Sequence, residues 1–250
     1  MFSMRKIIST FLFLIISGGF VYSQSESNLD KKILFRREQT GFIMVHSGGF
    51  GLGYLNGKSK TYFRKFIWEV EGLNIKHPKE FKISSYYENS KNFIYGKLNS
   101  FYVIRGGVGQ QHVLNGKPYW GGVEIRVFYM GGLSLGFAKP QYMYIVKYDP
   151  ATGESRLDIE RFDPNIHSIT DIFSRASFFK GFNHITLYPG LFLKSGISFE
   201  YGSDDKFVKT LECGAFLDAF YKNVPIMANQ KNQFLFVNLY IALHFGKRKF

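Results

Sequence analysis

The last strand-like stretch of the chain, residues 233–245, alternates between two kinds of side chain. Its even-numbered positions are mixed in character, whereas its odd-numbered positions from 235 onward are all large and apolar: Leu235, Val237, Leu239, Ile241, Leu243 and Phe245. A period of two is that of a β-strand, whose successive side chains point to opposite faces. Six such residues extend about 33–37 Å, which at a tilt near 45° matches the hydrocarbon thickness of a bilayer. The stretch therefore predicts the closing strand of an outer-membrane β-barrel.

The N-terminus has the features of a secretory signal peptide. A basic pair precedes an apolar run at residues 7–16, and small residues lead to a cleavage site after Ser23. The run is too short to span a bilayer as a helix. We therefore expect three segments, namely a signal peptide over residues 1–23, a periplasmic lead-in over residues 24–37 and an outer-membrane barrel over residues 38–250.

The chain is strongly basic, with a formal net charge of +13. Removal of residues 1–23 takes away two basic side chains, which leaves 30 Lys and Arg against 19 Asp and Glu, a net charge of about +11. Nucleic acid is not an expected partner of an exported protein. The charge instead favours outer-membrane lipid, anionic lipopolysaccharide and a protein partner in the envelope. The single Cys213 excludes a disulfide within the chain.

Alternating segments predict an all-β fold, a transmembrane antiparallel up-and-down barrel with the even strand number that closure requires. The eight segments are residues 41–55, 60–71, 97–109, 119–130, 133–147, 190–201, 207–221 and 233–245. Gly131-Gly132 is interpreted as a tight periplasmic reversal, as are residues 202–205. The polar connection over residues 76–95 then also falls on the periplasmic side. Its length leaves room for a further hairpin, so ten strands stay open.

The longest break between strands, residues 148–188, contains a helix signal. Ser168 and Asp171 have the spacing of a capping box, and apolar residues follow at helical intervals: Ile169, Ile172, Phe173, Ala176 and Phe179. This pattern predicts a short amphipathic helix in a long extracellular loop, where it would bind a partner.

The predicted strand facings bring ten charged residues into one lumen. They are Lys65, Glu69, Glu71, Arg105, Glu124, Arg126, Lys194, Glu200, Glu212 and Asp218. An eight-stranded barrel is just wide enough for side chains to fill it, and buried charges need partners. We therefore expect a salt-bridged plug, with a narrow polar path for a small solute as the alternative.

Motifs for known chemistry are largely absent from the sequence. It has no G-x-G-x-x-G, no G-x-S-x-G and no H-x-x-x-H, so no cofactor and no metal site are predicted. The pair His46-Ser47 is similar to the His and Ser of outer-membrane lipid A deacylases but lacks the further Ser-Asn pattern of that family. Neighbouring strand residues also point to opposite faces, so no direct hydrogen bond between the two side chains is expected.

Several short motifs resemble those of a family of small outer-membrane β-barrel proteins from Bacteroidota. The motifs are His77-Pro78-Lys79-Glu80, Tyr95-Gly96-Lys97-Leu98-Asn99, Phe178-Phe179-Lys180-Gly181-Phe182, Tyr188-Pro189-Gly190 and Phe245-Gly246-Lys247-Arg248. The resemblance covers nearly the whole mature chain. It implies a location and a fold but no catalytic residue, because that family has no settled biochemical activity.

These features favour a non-enzymatic structural or accessory subunit of a cell-envelope complex. A lipid-modifying enzyme of the outer membrane is the first alternative, based on His46 and Ser47 or on the lumen glutamates. A narrow channel is the second.

Overall fold

A computed structural model describes residues 37–85, 87, 90–116, 122–148, 154–201, 206–230 and 232–249. The predicted signal peptide and most of the predicted lead-in lie outside these ranges. The strands are β1 (Arg37–His46), β2 (Gly49–Ser59), β3 (Arg64–Ile75), β4 (Asn99–Asn115), β5 (Glu124–Pro140), β6 (Tyr142–Tyr148), β7 (Ser155–Arg161), β8 (Ile172–Arg175), β9 (Thr186–Tyr201), β10 (Phe207–Val224) and β11 (Gln233–Lys249). In the described ranges, no helix is long and apolar enough to cross a membrane.

Eight of the strands close into an antiparallel barrel in the order β1-β11-β10-β9-β5-β4-β3-β2. The first and last strands pair directly, so that Gly41 lies opposite both Tyr54 on β2 and Phe245 on β11. Closure gives the backbone groups of every barrel strand two neighbours and leaves no free edge. The predicted eight-stranded all-β barrel is confirmed, and the ten-stranded alternative is not formed.

Two predicted strand boundaries are wrong. One predicted strand is in fact two strands and one predicted turn lies inside a strand, so the number of barrel strands is still eight. Residues 41–55 are not one strand, because Ser47 and Gly48 form a tight turn between β1 and β2. Gly131-Gly132 is not a turn but lies inside β5. A Cβ on Gly132 would lie 2.2 Å from the carbonyl oxygen of Gly106 on β4. Glycine is required there for close strand approach rather than for chain reversal.

The correction moves the long connections to one end of the barrel. The chain enters β1 and leaves β11 at the terminal end, where residues 60–63, 116–123 and 202–206 connect neighbouring strands. Residues 76–98 and 141–185 both lie at the opposite end, which we call the mouth. The connection over residues 76–95 is therefore not on the terminal side, and its described part contains the isolated bridge between Ile83 and Phe93 instead of two regular strands.

A small antiparallel sheet, β7-β6-β8, stands at the mouth between β5 and β9. We call it the mouth sheet. It has its own apolar core, which it shares with the connection after β3, consisting of Phe93, Met143, Ile145, Phe162 and Ile172 with Leu98 packed against them. This second core holds the mouth sheet as a structured element rather than a loose loop.

The predicted amphipathic helix is wrong. Residues Ile169–Asp171 form one 3₁₀ turn, in which the Asp171 carboxylate accepts a hydrogen bond from the Ser168 N–H at 3.0 Å. The next four residues are β8, which pairs with β6 and buries Ile172 in the mouth core. Pairing and burial thus outweigh the helical spacing of the apolar residues. Ala176 is also buried, Phe173 packs against Tyr87, and Ile169 and Phe179 are exposed.

Inward-facing glycines make room for phenyl rings in the bore. A Cβ on Gly107 would lie 2.6 Å from Cζ of Phe192, and one on Gly136 would lie 2.4 Å from Cζ of Phe101. Both rings are fully buried. The bore is therefore packed by pairing its largest side chains with positions that have none.

This packing gives a test with a matched control one residue away. We expect Gly107→Ala to lower the free energy of unfolding by about 1–3 kcal/mol, because the added methyl group overlaps the Phe192 ring. Gly106→Ala points to open space on the outer wall and should leave stability equal or slightly higher. Urea-dependent unfolding of both variants checks this. Equal losses in the two would show that the ring contact is not the cause.

Candidate functional site

The outer wall of the barrel is apolar over most of its height. On β11, Val237, Leu239 and Ile241 are 64, 69 and 57% exposed, whereas the intervening Asn238 and Tyr240 are buried. Outward residues on the other barrel strands continue this surface, among them Ile43, Val45, Phe50, Leu52, Val70, Ile104, Val108, Leu133, Leu191, Leu193 and Ile197. A soluble monomer rarely exposes so large an apolar surface. The predicted outward and inward faces of the closing strand are confirmed.

Aromatic side chains border this apolar wall at both ends. Towards the terminal end, Tyr54 lies 5.7 Å from Trp68 between ring centroids, and His112 stacks on Tyr129 at 5.8 Å. At the mouth, an exposed aromatic cluster is formed by Phe178, Phe179 and Phe182. Such borders are typical of strands that cross from an apolar to an aqueous medium.

Inside the barrel, a first group of charges lies near the terminal end. Arg126 is at its centre. Its Nε lies 2.6 Å from a carboxylate oxygen of Glu124, its Nη1 lies 3.3 Å from one of Glu38, and its Nη2 contacts one of Glu200. Lys65 lies 2.7 Å from Glu38, and Arg248 bridges Glu38 and Glu200. This terminal-side cluster thus combines three cations with three carboxylates and is neutral.

A second, central cluster lies deeper in the bore. Lys194 lies 2.6 Å from Glu69, 3.3 Å from Glu71 and 3.8 Å from Glu212. Arg105 binds Glu71 at 2.5 Å and Asp218 at 3.1 Å. These six side chains are 0–3% exposed. Because these side chains are fully desolvated, removing one partner of such an ion pair costs far more free energy of unfolding than breaking an ion pair on the surface.

Tyrosine, histidine and phenylalanine side chains complete the central cluster. The Tyr240 hydroxyl donates to Glu212 at 2.7 Å, and Nε2 of His244 lies 3.4 Å from the same carboxyl group. The Arg105 guanidinium also lies 4.1 Å from the centroid of Phe216, a cation–π contact. Hydroxyl, imidazole and aromatic groups thereby supplement the two cations that face four carboxylates.

The ten charged residues predicted from the sequence all lie in these two clusters. Sequence reasoning missed four further members: Glu38, Tyr240, His244 and Arg248. The signal was available, because the inward parity of β11 continues through His244 to Arg248. Glu38 likewise shares its parity with the inward residues of β1. Both strands are simply longer than their apolar stretches.

Aromatic rings close the bore above the central cluster. Phe101, Phe220 and Phe236 contact one another with centroid separations of 5.1–5.9 Å. All three belong to the main apolar core of the barrel. The bore is thus occupied first by ion pairs and then by a phenyl layer below the mouth.

A cavity of about 880 Å³ opens above this layer, between the connection after β3, the ends of β4 and β5, and the mouth sheet. We call it the mouth cavity. Its basic lining residues are Lys76, Lys82, Lys91, Lys97, Lys139 and Arg175. Among the described lining residues Glu80 is the acidic one, and it forms an ion pair with Lys97 at 2.6 Å. No sequence motif indicated this site, because its residues come from four separate segments.

The His46-Ser47 pair does not form a catalytic dyad. The His46 side chain is buried in the bore, with Nδ1 accepting a hydrogen bond from the Gly48 N–H at 3.2 Å. The Ser47 hydroxyl donates to Asn238 at 2.9 Å. Within the described parts of the chain, no group of three His, Cys, Asp or Glu side chains could hold a metal ion.

The mouth sheet carries a separate exposed ion-pair group. Glu160 on β7 contacts Lys147 on β6 and lies 3.1 Å from Nε2 of His167. Hydrogen bonds from Lys147 and then His167 lower the pKa of the Glu160 carboxyl. This group links β6, β7 and the segment that follows them.

Comparisons with known proteins found fold likeness but no family. No family model and no curated protein matches the chain. The solved structure of Ail, the attachment invasion locus protein of Yersinia pestis, has a TM-score of 0.42 at 9% identity, over 86% of this chain and 98% of that one. Ail in complex with the heparin analogue sucrose octasulfate gives 0.41 at 10%, over 86% and 98%. Neisserial surface protein A gives 0.40 at 10%, over 86% and 96%.

The buried ion pairs generate a stability prediction. We expect Arg105→Met to lower the free energy of unfolding by about 3–5 kcal/mol, because it leaves Asp218 buried without its cation and leaves Glu71 to share Lys194 with two other glutamates. The double variant Arg105→Met/Asp218→Asn should recover part of this loss in a double-mutant cycle. Lys147→Gln, in the exposed pair with Glu160, should leave the urea midpoint unchanged. A small effect of Arg105→Met would contradict the assigned role of the central cluster.

Proposed function

We propose that this chain is an integral outer-membrane protein whose barrel spans the bilayer with its mouth on the extracellular side. The exposed apolar wall is the observation that carries this proposal. In the hydrocarbon region only helices and closed barrels satisfy all their backbone hydrogen bonds. The eleven positions from Leu235 to Phe245 match the 9–11 residues with which a tilted strand crosses a bilayer. The signal peptide predicted from the sequence agrees with export.

A depth-dependent pair of substitutions tests the membrane placement. Leu239→Arg lies near the middle of the apolar wall and should destabilise the barrel in lipid vesicles by about 2–4 kcal/mol. Phe245→Arg lies on the same face of the same strand near its border and should have an effect of about 0–1 kcal/mol. Reversible unfolding from vesicles measures both. Equal effects, or a wild-type protein that stays soluble without detergent, would refute the placement.

Within the membrane, we propose a non-enzymatic role as a structural or accessory subunit of an envelope complex. The filled bore supports this role, because ion pairs and the phenyl layer occupy the space that a solute would need. The mouth sheet supports it further. Its strand β7 pairs with β6 on one side and with no described strand on the other. Such an edge offers unpaired backbone groups to another chain.

Exposed apolar residues lie along this same edge. Leu157 is 49% exposed and Ile159 is 40% exposed, and both lie on β7. An edge strand with apolar side chains and free backbone groups fits a protein partner that adds a strand. The two alternatives have less support, since Ser47 is hydrogen-bonded to Asn238 rather than to His46 and the bore is blocked.

Site-specific photocrosslinking in native membranes tests the partner role. A photoreactive amino acid in place of Leu157 should give one defined adduct with an envelope protein. The same amino acid in place of Lys222, which belongs to the barrel strand β10 rather than to the mouth sheet, should not give this adduct. Absence of an adduct at Leu157 and Ile159 would count against the subunit role. Altered lipid A mass spectra in a deletion strain would instead favour the lipid-modifying enzyme.

A further inference from the structure

The mouth cavity has a charge imbalance among the residues that the structure describes. Six described basic side chains line it, and Glu80 is the one described carboxylate in the lining. In the described parts of the chain, no carboxylate lies within ion-pair distance of Lys82, Lys91 or Arg175. The terminal-side cluster is neutral by contrast, and the central cluster has more carboxylates than cations. The uncompensated charge is therefore a local property of this cavity.

Lys139 is the most informative of the six because it is buried. It is 5% exposed, and its ammonium donates to the carbonyl oxygens of Phe178 at 2.7 Å and Lys180 at 3.0 Å. The ammonium also lies 4.9 Å from the ring centroid of Phe178 and 5.3 Å from that of Phe182, so its described partners are carbonyl oxygens and aromatic faces, with no carboxylate among them. Lysine is rarely buried unless it is paired. A bound anion would supply the missing counter-charge.

The remaining lining indicates the rest of the ligand. Tyrosine and phenylalanine side chains form much of the wall, namely Tyr102, Tyr142, Tyr144, Phe173 and Phe178. Aromatic faces pack against apolar groups, while tyrosine hydroxyls donate and accept hydrogen bonds. A cavity of about 880 Å³ is also within the usual range for small-molecule sites. The walls thus suit a ring compound with both hydroxyl groups and C–H faces.

The positions of the cations indicate several anionic groups on one ligand. Lys76, Lys82, Lys91 and Lys97 belong to the connection that starts after β3, Lys139 to β5 and Arg175 to β8. These positions place five positive charges in excess of Glu80 along the described lining, whereas one phosphate group carries a charge of only about −2. Lysine binds phosphate as a compact point charge, and arginine can bind it through two parallel N–H donors. Five of the six cations are lysine.

We propose that the mouth cavity binds a saccharide that carries several phosphate groups. Such a saccharide has two sources at the cell surface. One is the head group of lipopolysaccharide in the same leaflet, and the other is a free phosphorylated glycan outside the cell. The site rests on the extracellular placement of the mouth proposed above and is independent of the protein partner at β7.

Calorimetric titration of the purified full-length protein in lipopolysaccharide-free nanodiscs tests the site. The probes are a water-soluble bisphosphorylated glucosamine disaccharide, its dephosphorylated form, and intact rough lipopolysaccharide. We expect the bisphosphorylated probe to bind with an affinity that falls as salt is raised. We expect the triple variant K82Q/K91Q/R175Q to bind it about tenfold or more weakly.

The triple variant K58Q/K209Q/K222Q is the matched control, since it removes three exposed charges outside the cavity lining. It should keep the wild-type affinity to within about twofold. Lys139→Gln should also weaken binding, and heat-modifiable migration on gels establishes that each variant is a folded barrel. A folded barrel with normal membrane insertion but no binding would overturn this site and leave the proposed membrane role intact.

The remaining outcomes are equally decisive. Equal affinity for the dephosphorylated disaccharide, or an equal loss in the control variant, would overturn the proposal because recognition would not depend on phosphate or on this cavity. Binding of the soluble disaccharide as tight as that of lipopolysaccharide would support the site with a free glycan as its source. Much tighter binding of intact lipopolysaccharide, lost in the cavity variant, would support it with the membrane lipid as its source.

Discussion

The pairing of opposite charges inside the bore is the condition on which this barrel depends. An outer wall made of apolar side chains leaves the polar half of every alternating strand facing inward. Those side chains are out of water, so each charge needs an opposite charge at contact distance. Arg126 among three glutamates and Lys194 among three more meet this need. The apolar outer wall thus determines that polar and charged side chains fill the bore. The ion pairs between these side chains connect strands that are far apart in sequence.

The same alternation explains how much could be predicted from the sequence. Period-two patterning identified both faces of the closing strand and the ten charges of the lumen, because each depends only on the parity of its position. It failed where a residue type has two structural uses. Gly131-Gly132 has the composition of a turn, yet these glycines allow strands to approach closely inside β5. Ile169 to Phe179 has helical spacing, yet β8 gains more from pairing with β6 and burying Ile172.

The mouth cavity lies beyond such reasoning for a different reason. Its cations are spread over residues 76–175, and none belongs to a local motif. Only the folded arrangement of the connection after β3 against the mouth sheet brings them together. Lys97 and Lys139 illustrate this, since each looks like an ordinary solvated lysine in the sequence but is buried in the structure. Burial of a lysine is a tertiary property, and the sequence pattern around it carries no sign of it.

The two-residue turn between β1 and β2 gives the mouth end of the barrel an uneven profile. Ser47 and Gly48 barely rise above the barrel, while residues 141–185 build a sheet with its own core on the opposite arc. The rim of the barrel is therefore low beside β1 and β2 and raised beside β5 and β9. A large molecule approaching along the membrane plane would meet little obstruction at the low flank. The barrel is therefore asymmetric about its axis at the mouth, and molecules that assemble around it meet a different surface on each side.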